Sequence, residues 1–370
     1  MKILMVGGGS GGHVFPLIAI QQELNKINPK LDFLIVSDKL SDAVKSEFQS
    51  GTEFRMIKSG KIRRFAHWKW YDYFKPNRYK FYIYNFIDLF KLSFGISQSL
   101  GILISAKPDI IFAKGGFVSV PVGFAASLMN IPLVLHDSDT RPGIASKLLA
   151  KRSKKVLLGM QRPNTDDGKV VGIPIRQEFF SLTKAAARAK LGFETTKPLL
   201  LITGGSLGAK RVNLLFENHL AELLEDYEII HVSGEGDYKR ALKASSGLKK
   251  SYKLYPFVTS EYPLLVAAAD VVVGRAGATS IAEFAAVGVA SIFIPNSYLT
   301  DQVSNTKWLV DHKAGIVIKE SDSAESELMK ALDELKSVNL RKECAHMIHK
   351  LAVADSAKQV SKQIIDSIES

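Results

Sequence analysis

The 370-residue sequence holds one cysteine, Cys344, so no disulfide can close within the chain. A reducing compartment is the default for such a composition. There is no low-complexity stretch and no short-period repeat. No uninterrupted apolar run reaches the length that a bilayer span needs. The opening run, Ile3–Val6, is too short for a signal-peptide core and meets glycines at once. These absences lead to the expectation of a cytoplasmic protein. Acidic residues are also in deficit: 37 Asp and Glu face 49 Lys and Arg, for a net charge of +12. Such an excess suits nucleic acid, an anionic membrane or an acidic substrate, depending on where it sits. Apolar content of 46% and charged content of 23% describe a folded chain, long enough for two domains.

What the chain does have is glycine in telling places. "GGGSGGHVFP", Gly7–Pro16, follows the apolar run Ile3–Val6. Buried parallel strands are predicted at Ile3–Val6, Phe33–Val36, Ile110–Ala113 and Leu133–Leu135, with helical patterns between them. A second series follows at Leu199–Thr203, Ile229–Val232, Val271–Val273 and Ile292–Ile294. "PLLLITGGSLGAKRVN", Pro198–Asn213, opens this half as the first glycine loop opens the other. The pattern predicts an α/β protein of two Rossmann-like, doubly wound parallel-sheet domains. "QRPNTDDGKVVGIP", residues 161–174, breaks the periodicity and separates them. The expected bounds are 1–162, 163–345, and a C-terminal helical segment 346–370 that packs back on the first domain. Ligands of open α/β sheets bind at the carboxyl ends of the strands, so two facing domains make a cleft.

A glycine loop between strand and helix lets backbone approach an anion and aims the helix dipole at it. Tight packing alone also demands glycine, so each loop has two readings. No Gly-Lys-Ser/Thr follows either loop, which excludes a P-loop. Gly7-x-Gly9-x-x-Gly12 matches the dinucleotide fingerprint weakly, with Asp38 as its distant acidic partner. His13 falls in the first helical turn, where the dipole favours a neutral imidazole able to take a proton from a hydroxyl. The other reading is a histidine bonded within its loop.

A third loop, "VVVGRAGATSIAEFAAVG", spans Val271–Gly288. Ser280-x-x-Glu283 has capping-box spacing, and Glu283 is either part of that cap or a ribose ligand. "HDSD", His136–Asp139, contains an Asp-x-Asp that could hold Mg²⁺ with a diphosphate, although helix termini can neutralise phosphate without metal. Residues 61–94 carry eight Lys or Arg and thirteen of the chain's 3 Trp, 11 Tyr and 20 Phe. That mixture suits first an anionic membrane surface, then plain core, and last single-stranded nucleic acid. Asp88 and Lys91 interrupt the run, so a bilayer span is not expected.

Taken in order, these motifs resemble one family. "GGSGGHVFP" at Gly8–Pro16, "KGGFVSVP" at Lys114–Pro121, "HDSDTRPGIASKLLA" at His136–Ala150, "GGSLGAK" at Gly204–Lys210, "GRAGATSIAE" at Gly274–Glu283 and "DQVSN" at Asp301–Asn305 are similar to the MurG family. Its members transfer N-acetylglucosamine from UDP-GlcNAc to lipid I, giving lipid II in peptidoglycan synthesis. The resemblance runs nearly end to end. It implies a GT-B fold, with UDP-GlcNAc on the C-terminal domain and neither metal nor cofactor. It implies that Arg176 and Ser206 meet the diphosphate and that the Val258 backbone meets uracil. Ala278, Thr279, Ser280, Ile281, Ala282 and Glu283 would hold the nucleotide, with Glu283 on the ribose and Gln302 on the sugar. Ser10, Gly11 and Gly12 would line the acceptor side, with Asp139 a sugar contact and His13 the base.

The implied partners are UDP-GlcNAc, lipid I and the anionic inner leaflet, with no nucleic acid. The implied location is peripheral, on the cytoplasmic face of the membrane. Three motifs depart from common family patterns: His-Asp-Ser-Asp stands for His-Glu-Gln-Asn at 136–139, Leu207 for Gln, and Ile173 for Asn. A UDP-GlcNAc 2-epimerase and a transferase with another lipid acceptor share the architecture and remain alternatives.

Overall fold

The computed structural model describes residues 1–60, 79–162, 167–193, 197–248 and 251–369. The chain forms two compact units, Met1–Pro174 with Asp355–Ser370, and Ile175–Ala354.

The first unit runs β1 Lys2–Val6, α1 Gly11–Ile27, β2 Asp32–Ser37, α2 Asp42–Lys45, β3 Glu53–Met56, α3 Tyr79–Ala106, β4 Ile110–Ala113, α4 Ser119–Leu128, β5 Leu133–Asp137, α5 Ile144–Ala150, β6 Lys155–Leu158 and β7 Lys169–Val170. Its seven strands lie in the order β3-β2-β1-β4-β5-β6-β7. Ile3 pairs with Phe33 on one side and Ile110 on the other, both in parallel. Strand order reverses at β1/β4, the place where open α/β sheets bind ligands. The central strands are apolar throughout because helices cover both faces: Ile3, Leu4, Met5, Val6, Ile111 and Phe112 are fully buried.

The second unit runs α6 Glu178–Ser181, α7 Lys184–Leu191, β8 Leu199–Thr203, α8 Lys210–Glu217, α9 Leu220–Asp226, β9 Glu228–Val232, α10 Tyr238–Ala244, β10 Tyr252–Tyr255, α11 Tyr262–Ala268, β11 Val271–Gly274, α12 Ala278–Val287, β12 Ala290–Phe293, α13 Thr300–Asp311, β13 Ile316–Val317, α14 Ala324–Glu334 and α15 Val338–His349. Its sheet, β10-β9-β8-β11-β12-β13, is parallel and reverses at β8/β11. Local chemistry sets the helix ends. Thr183 Oγ1 accepts from Ala186 N–H at the start of α7, and Gly192, in the left-handed conformation, closes it.

The units divide at 174/175 and 354/355, where the sequence pattern suggests 162/163 and 345/346. Two packing facts explain the difference. β7 pairs with β6, so residues 169–170 still belong to the first sheet. α15 packs on β12 and α12, so it stays with the second unit. The returning element is α16, Ser356–Glu369, which packs on α1. Its buried stripe, Ala357, Val360, Ser361 and Ile364, follows helical spacing. Ser356 Oγ donates to Ile173 O at 2.7 Å and Ser361 Oγ to Ile20 O at 3.3 Å.

Of the basic aromatic segment, residues 61–78 lie outside the described residues. The remainder lies on α3. By length and composition alone, Tyr82–Ala106 is long and apolar enough to cross a membrane. One face of this helix is committed to the unit: Asp88, Gly95, Ser99 and Leu103 are buried at helical spacing, and α3 packs along α4. The opposite face is exposed and apolar, with Phe86 and Phe90 each 62% accessible. Core packing therefore accounts for one face of α3 only.

Candidate functional site

In the first unit the two glycine loops follow β1 and β4, the strands that flank the reversal point. A side chain at Gly7 would run into the carbonyl of His13, so glycine is what lets the first turn of α1 sit on the strand end. Gly9 N–H donates to Asp38 Oδ1 at 2.8 Å. Asp38 thus closes the loop, and the dinucleotide reading, which wanted it on a ribose, is not supported. Ser10 is the N-cap residue of α1 but makes no side-chain capping bond. Gly11, Gly12 and His13 form the first turn and are half-buried.

His13 Nδ1 lies 3.3 Å from the carbonyl of Lys114. A carbonyl can only accept, so Nδ1 carries the proton in this bond and the neutral ring keeps its lone pair at Nε2. Lys114 N–H donates in turn to Val6 O at 2.9 Å, which ties the carbonyl to the sheet edge. Gly116 faces the ring: a Cβ there would stand 3.1 Å from His13 Nε2, at a backbone φ of +76°. The bond to the Lys114 carbonyl is one that either reading of His13 allows.

Behind the loops lies a buried charge cluster that sequence reasoning did not find. Lys114 is 1% exposed and its Nζ donates to Ser138 Oγ. Burial pulls its ammonium down to about 8, opposed by the charges of Asp139 and Asp137. Arg162 Nη2 pairs with Asp137 at 2.6 Å and also donates to the Asp139 carbonyl at 3.1 Å. Asp137 is committed to this pair, which removes half of the suggested Asp-x-Asp metal motif. The Asp139 side chain lies half-buried at the end of β5. His136 Nε2 donates to Gly172 O at 2.9 Å. Burial, then Lys114, holds His136 well below the usual histidine range, so it is neutral. The signal in sequence for this cluster was slight: Arg162 fell in a stretch that read as a linker.

In the second unit the equivalent loops follow β8 and β11. Ser206 lies in the β8 loop beside Leu207, which is 74% exposed. The β8 and β9 loops touch backbone to backbone at Gly208 and Gly234, which leaves no room for a side chain at Gly208. Arg176 is 4% exposed, with Nη1 donating to Thr259 O at 3.0 Å and its guanidinium 5.7 Å from the centre of the Phe179 ring. Val258 is the neighbour of Thr259, in the loop after β10. Glu283 is 5% exposed on α12, and burial raises its carboxyl to about 8, against the pull of Arg176. Tyr262 is half-buried near the same pair with its phenolic oxygen turned inward, and its phenol is raised by burial and then by Glu283.

The capping-box reading of Ser280 is overturned. α12 begins at Ala278 with Gly277 as its N-cap, so Ser280 sits inside the first turn. With Gly277 as N-cap, the helix starts three residues upstream of the expected place. Ala278, Thr279 and Ile281 are buried, and Ser280 and Ala282 are half-buried. Gln302, on α13, accepts from Asn296 N–H at 2.8 Å through Oε1, which leaves its amide nitrogen as a donor. Arg176 thus links the loop after β10, through Thr259, to the Glu283 carboxyl on α12, whose charge it opposes. Ser206 lies in the loop after β8, and Gln302 in the first turn of α13 after β12, two strands away at the same sheet edge.

Comparison with known proteins agrees with this layout. Residues 3–158 match the glycosyltransferase family 28 N-terminal domain, and residues 199–362 match the family 28 C-terminal domain. The chain is 34% identical over 376 residues to the UDP-N-acetylglucosamine–N-acetylmuramyl-(pentapeptide) pyrophosphoryl-undecaprenol N-acetylglucosamine transferase of Clostridium kluyveri, covering 100% of this chain and 99% of that protein. The Clostridium perfringens protein of the same name is 34% identical over 90% of each chain. Among solved structures, Acinetobacter baumannii MurG aligns with a TM-score of 0.71 at 22% identity, over 99% of both chains. The UDP-GlcNAc 2-epimerase of Neisseria meningitidis aligns with a TM-score of 0.70 at 15% identity, over 99% of this chain and 100% of that one. These two solved structures support the GT-B fold without separating transferase from epimerase. The sequence relatives make that separation at full length: the chain belongs to the MurG family of family 28 glycosyltransferases.

Proposed function

We propose that this chain is an inverting hexosyltransferase that moves N-acetylglucosamine from UDP-GlcNAc to the C4 hydroxyl of the muramyl sugar of lipid I, giving lipid II. The observation that carries this reading is 34% identity to a transferase of that name over the full length of both chains. The first unit carries the acceptor chemistry. His13 Nε2 takes the proton of the attacking hydroxyl while Nδ1 stays on the Lys114 carbonyl. Ser10, Gly11 and Gly12 line that side, and Asp139 borders it.

The second unit holds the donor. Glu283 accepts from the ribose, the Val258 backbone meets uracil, and Ala278–Ala282 shape the nucleotide seat. Gln302 offers its amide nitrogen to the sugar. The hydroxyl oxygen bonds to the anomeric carbon as the bond to UDP breaks, on the opposite face. Arg176, Ser206 and the helix starts take up the charge on the departing diphosphate. No step requires a metal or a cofactor.

The test is transfer of labelled sugar from UDP-GlcNAc to a soluble lipid I analogue with EDTA present. Wild-type transfer should persist. Formation of the epimerised sugar nucleotide in the absence of acceptor, with no transfer when it is added, would replace this reading with the epimerase.

The enzyme works as a peripheral protein at the anionic, cytoplasmic face of the membrane. The exposed face of α3, with Tyr82, Ile83, Phe86, Leu89, Phe90 and Phe94, supports this placement. Lys58 stands 5.4 Å from the centre of the Phe94 ring and brings charge to the same face. Replacing Phe86 and Phe90 together by serine should release the enzyme from anionic vesicles in a flotation assay. Transfer to the soluble acceptor should be unchanged. Undiminished flotation would remove α3 as the membrane contact.

A further inference from the structure

One buried carboxylate joins the loops at the carboxyl edge of the second sheet, and the mechanism above does not use it. Glu320 follows β13, and its side chain is 9% exposed. Its Oε1 accepts from Arg275 Nη1 at 2.6 Å. Its Oε2 accepts from Arg211 Nη1 at 2.9 Å and from Ser297 Oγ at 3.2 Å. Arg211 lies in the first turn of α8, Arg275 just before α12, and Ser297 in the β12–α13 loop. These segments follow β8, β11 and β12, which are consecutive strands in the sheet.

The β12–α13 loop is bound from both ends. Arg275 Nη1 also donates to Ile294 O at 2.9 Å, where the loop begins. At the far end Gln302 accepts from Asn296 N–H. Within it, Tyr298 N–H donates to Asn296 Oδ1 at 3.0 Å, and the Arg211 guanidinium stands 5.2 Å from the Tyr298 ring centre. Asn305, one turn beyond Gln302, donates to Ala276 O at 3.1 Å, just ahead of α12. Burial alone would raise Glu320, but Arg275, with Ser297 and Arg211, holds it below the usual carboxylate range, so the hub is charged.

We infer that Glu320 is a positioning residue for the donor sugar, fixing the 295–299 loop and with it the amide of Gln302 relative to α12. The inference rests on the donor site proposed above. Exposed ion pairs contribute little, but this carboxylate is enclosed and its bonds all go to loops or helix starts. Its loss should therefore disturb position more than core packing.

The test compares UDP and UDP-GlcNAc binding by titration calorimetry, alongside kcat and KM. Glu320→Gln should weaken UDP-GlcNAc about tenfold, leave UDP within about twofold and change kcat little, as a lost positioning contact would. Glu320→Gln added to Gln302→Ala should weaken sugar binding no further than Gln302→Ala alone. Ser297→Ala, which keeps the ion pairs, should give a smaller change of the same sign and serves if Glu320→Gln does not fold. Equal losses for UDP and UDP-GlcNAc, or additive losses in the double variant, would overturn the inference and leave Glu320 a structural residue. If Gln302→Ala weakens sugar binding and Glu320→Gln does not, the inference fails alone. If Gln302→Ala has no effect, the donor-sugar assignment fails and takes the inference with it.

Discussion

His13→Ala should lower turnover by about 10³-fold while the thermal midpoint and the KM for UDP-GlcNAc stay near wild type, since a positioned general base contributes on the order of 10²–10⁴. The ring is half-buried, with Nδ1 on the Lys114 carbonyl. That carbonyl is placed by the Lys114 N–H bond to Val6 and by the β1/β4 pairing, neither of which involves the imidazole. Removing the ring thus takes away a proton acceptor and leaves its mount. His13→Gln is the sharper control, since it keeps a hydrogen-bonding side chain but cannot take up a proton near neutral pH. Turnover within a few-fold of wild type in both variants would end the assignment of His13 as base.

The second large effect concerns Glu283. With its carboxyl at about 8 in the folded, ligand-free protein and near 4.5 in the unfolded chain, folding holds a proton that the unfolded chain releases. Below pH 4.5 both states are protonated and the group has no pH effect. Between 4.5 and 8 the unfolded state ionises first, so stability falls as pH rises, by up to about 1.4 kcal/mol per pH unit. Above 8 both are ionised and the loss is complete. Glu283→Gln should therefore flatten this part of the stability curve and unfold later than wild type at pH 8.

The same substitution should raise the KM for UDP-GlcNAc by about 10- to 100-fold, the worth of a hydrogen bond to a charged group. In wild type the donor should bind more tightly as pH rises from 7 to 9, because the ionised carboxylate accepts from both ribose hydroxyls. The Gln variant should lack that rise. Chemical denaturation across pH and donor titration read the two halves separately. An unchanged KM would leave Glu283 as a buried structural acid.

The legible parts of this molecule were those written in local pattern. Apolar runs of four or five residues marked the central strands, because a strand covered on both faces has no polar side to show. The edge strands β3, β7, β10 and β13 carried no such signal: β7 and β13 are two residues long, three of the four β3 residues are exposed, and all four β10 residues are half-buried. The glycine loops were visible because close backbone approach leaves only one residue type available. The start of α12 was misread because Ser-x-x-Glu mimics a cap, whereas Gly277 ends the loop by backbone conformation, with no side-chain capping bond.

The charge clusters were hidden for a different reason. Lys114 and Arg162 are buried because they meet Asp137, Ser138 and Asp139 from other strands. Glu320 meets Arg275 across 45 residues of sequence. Burial of a charge depends on a partner, and a single sequence does not name the partner.

The return of α16 has a consequence for biosynthesis. The second unit is one uninterrupted segment, whereas the first is made of two pieces that enclose it in the chain. On the ribosome the strands of the first sheet emerge first, yet the helix that covers α1 follows only after the whole second unit has been made. The late-starting unit is thus the earlier to be complete, and the nascent first unit waits with the apolar groove for Val360 and Ile364 open to solvent. A chain that stops early within α16 would carry an intact second unit and an unfinished first unit, so premature termination would be felt at the opposite end of the sequence from where it occurred.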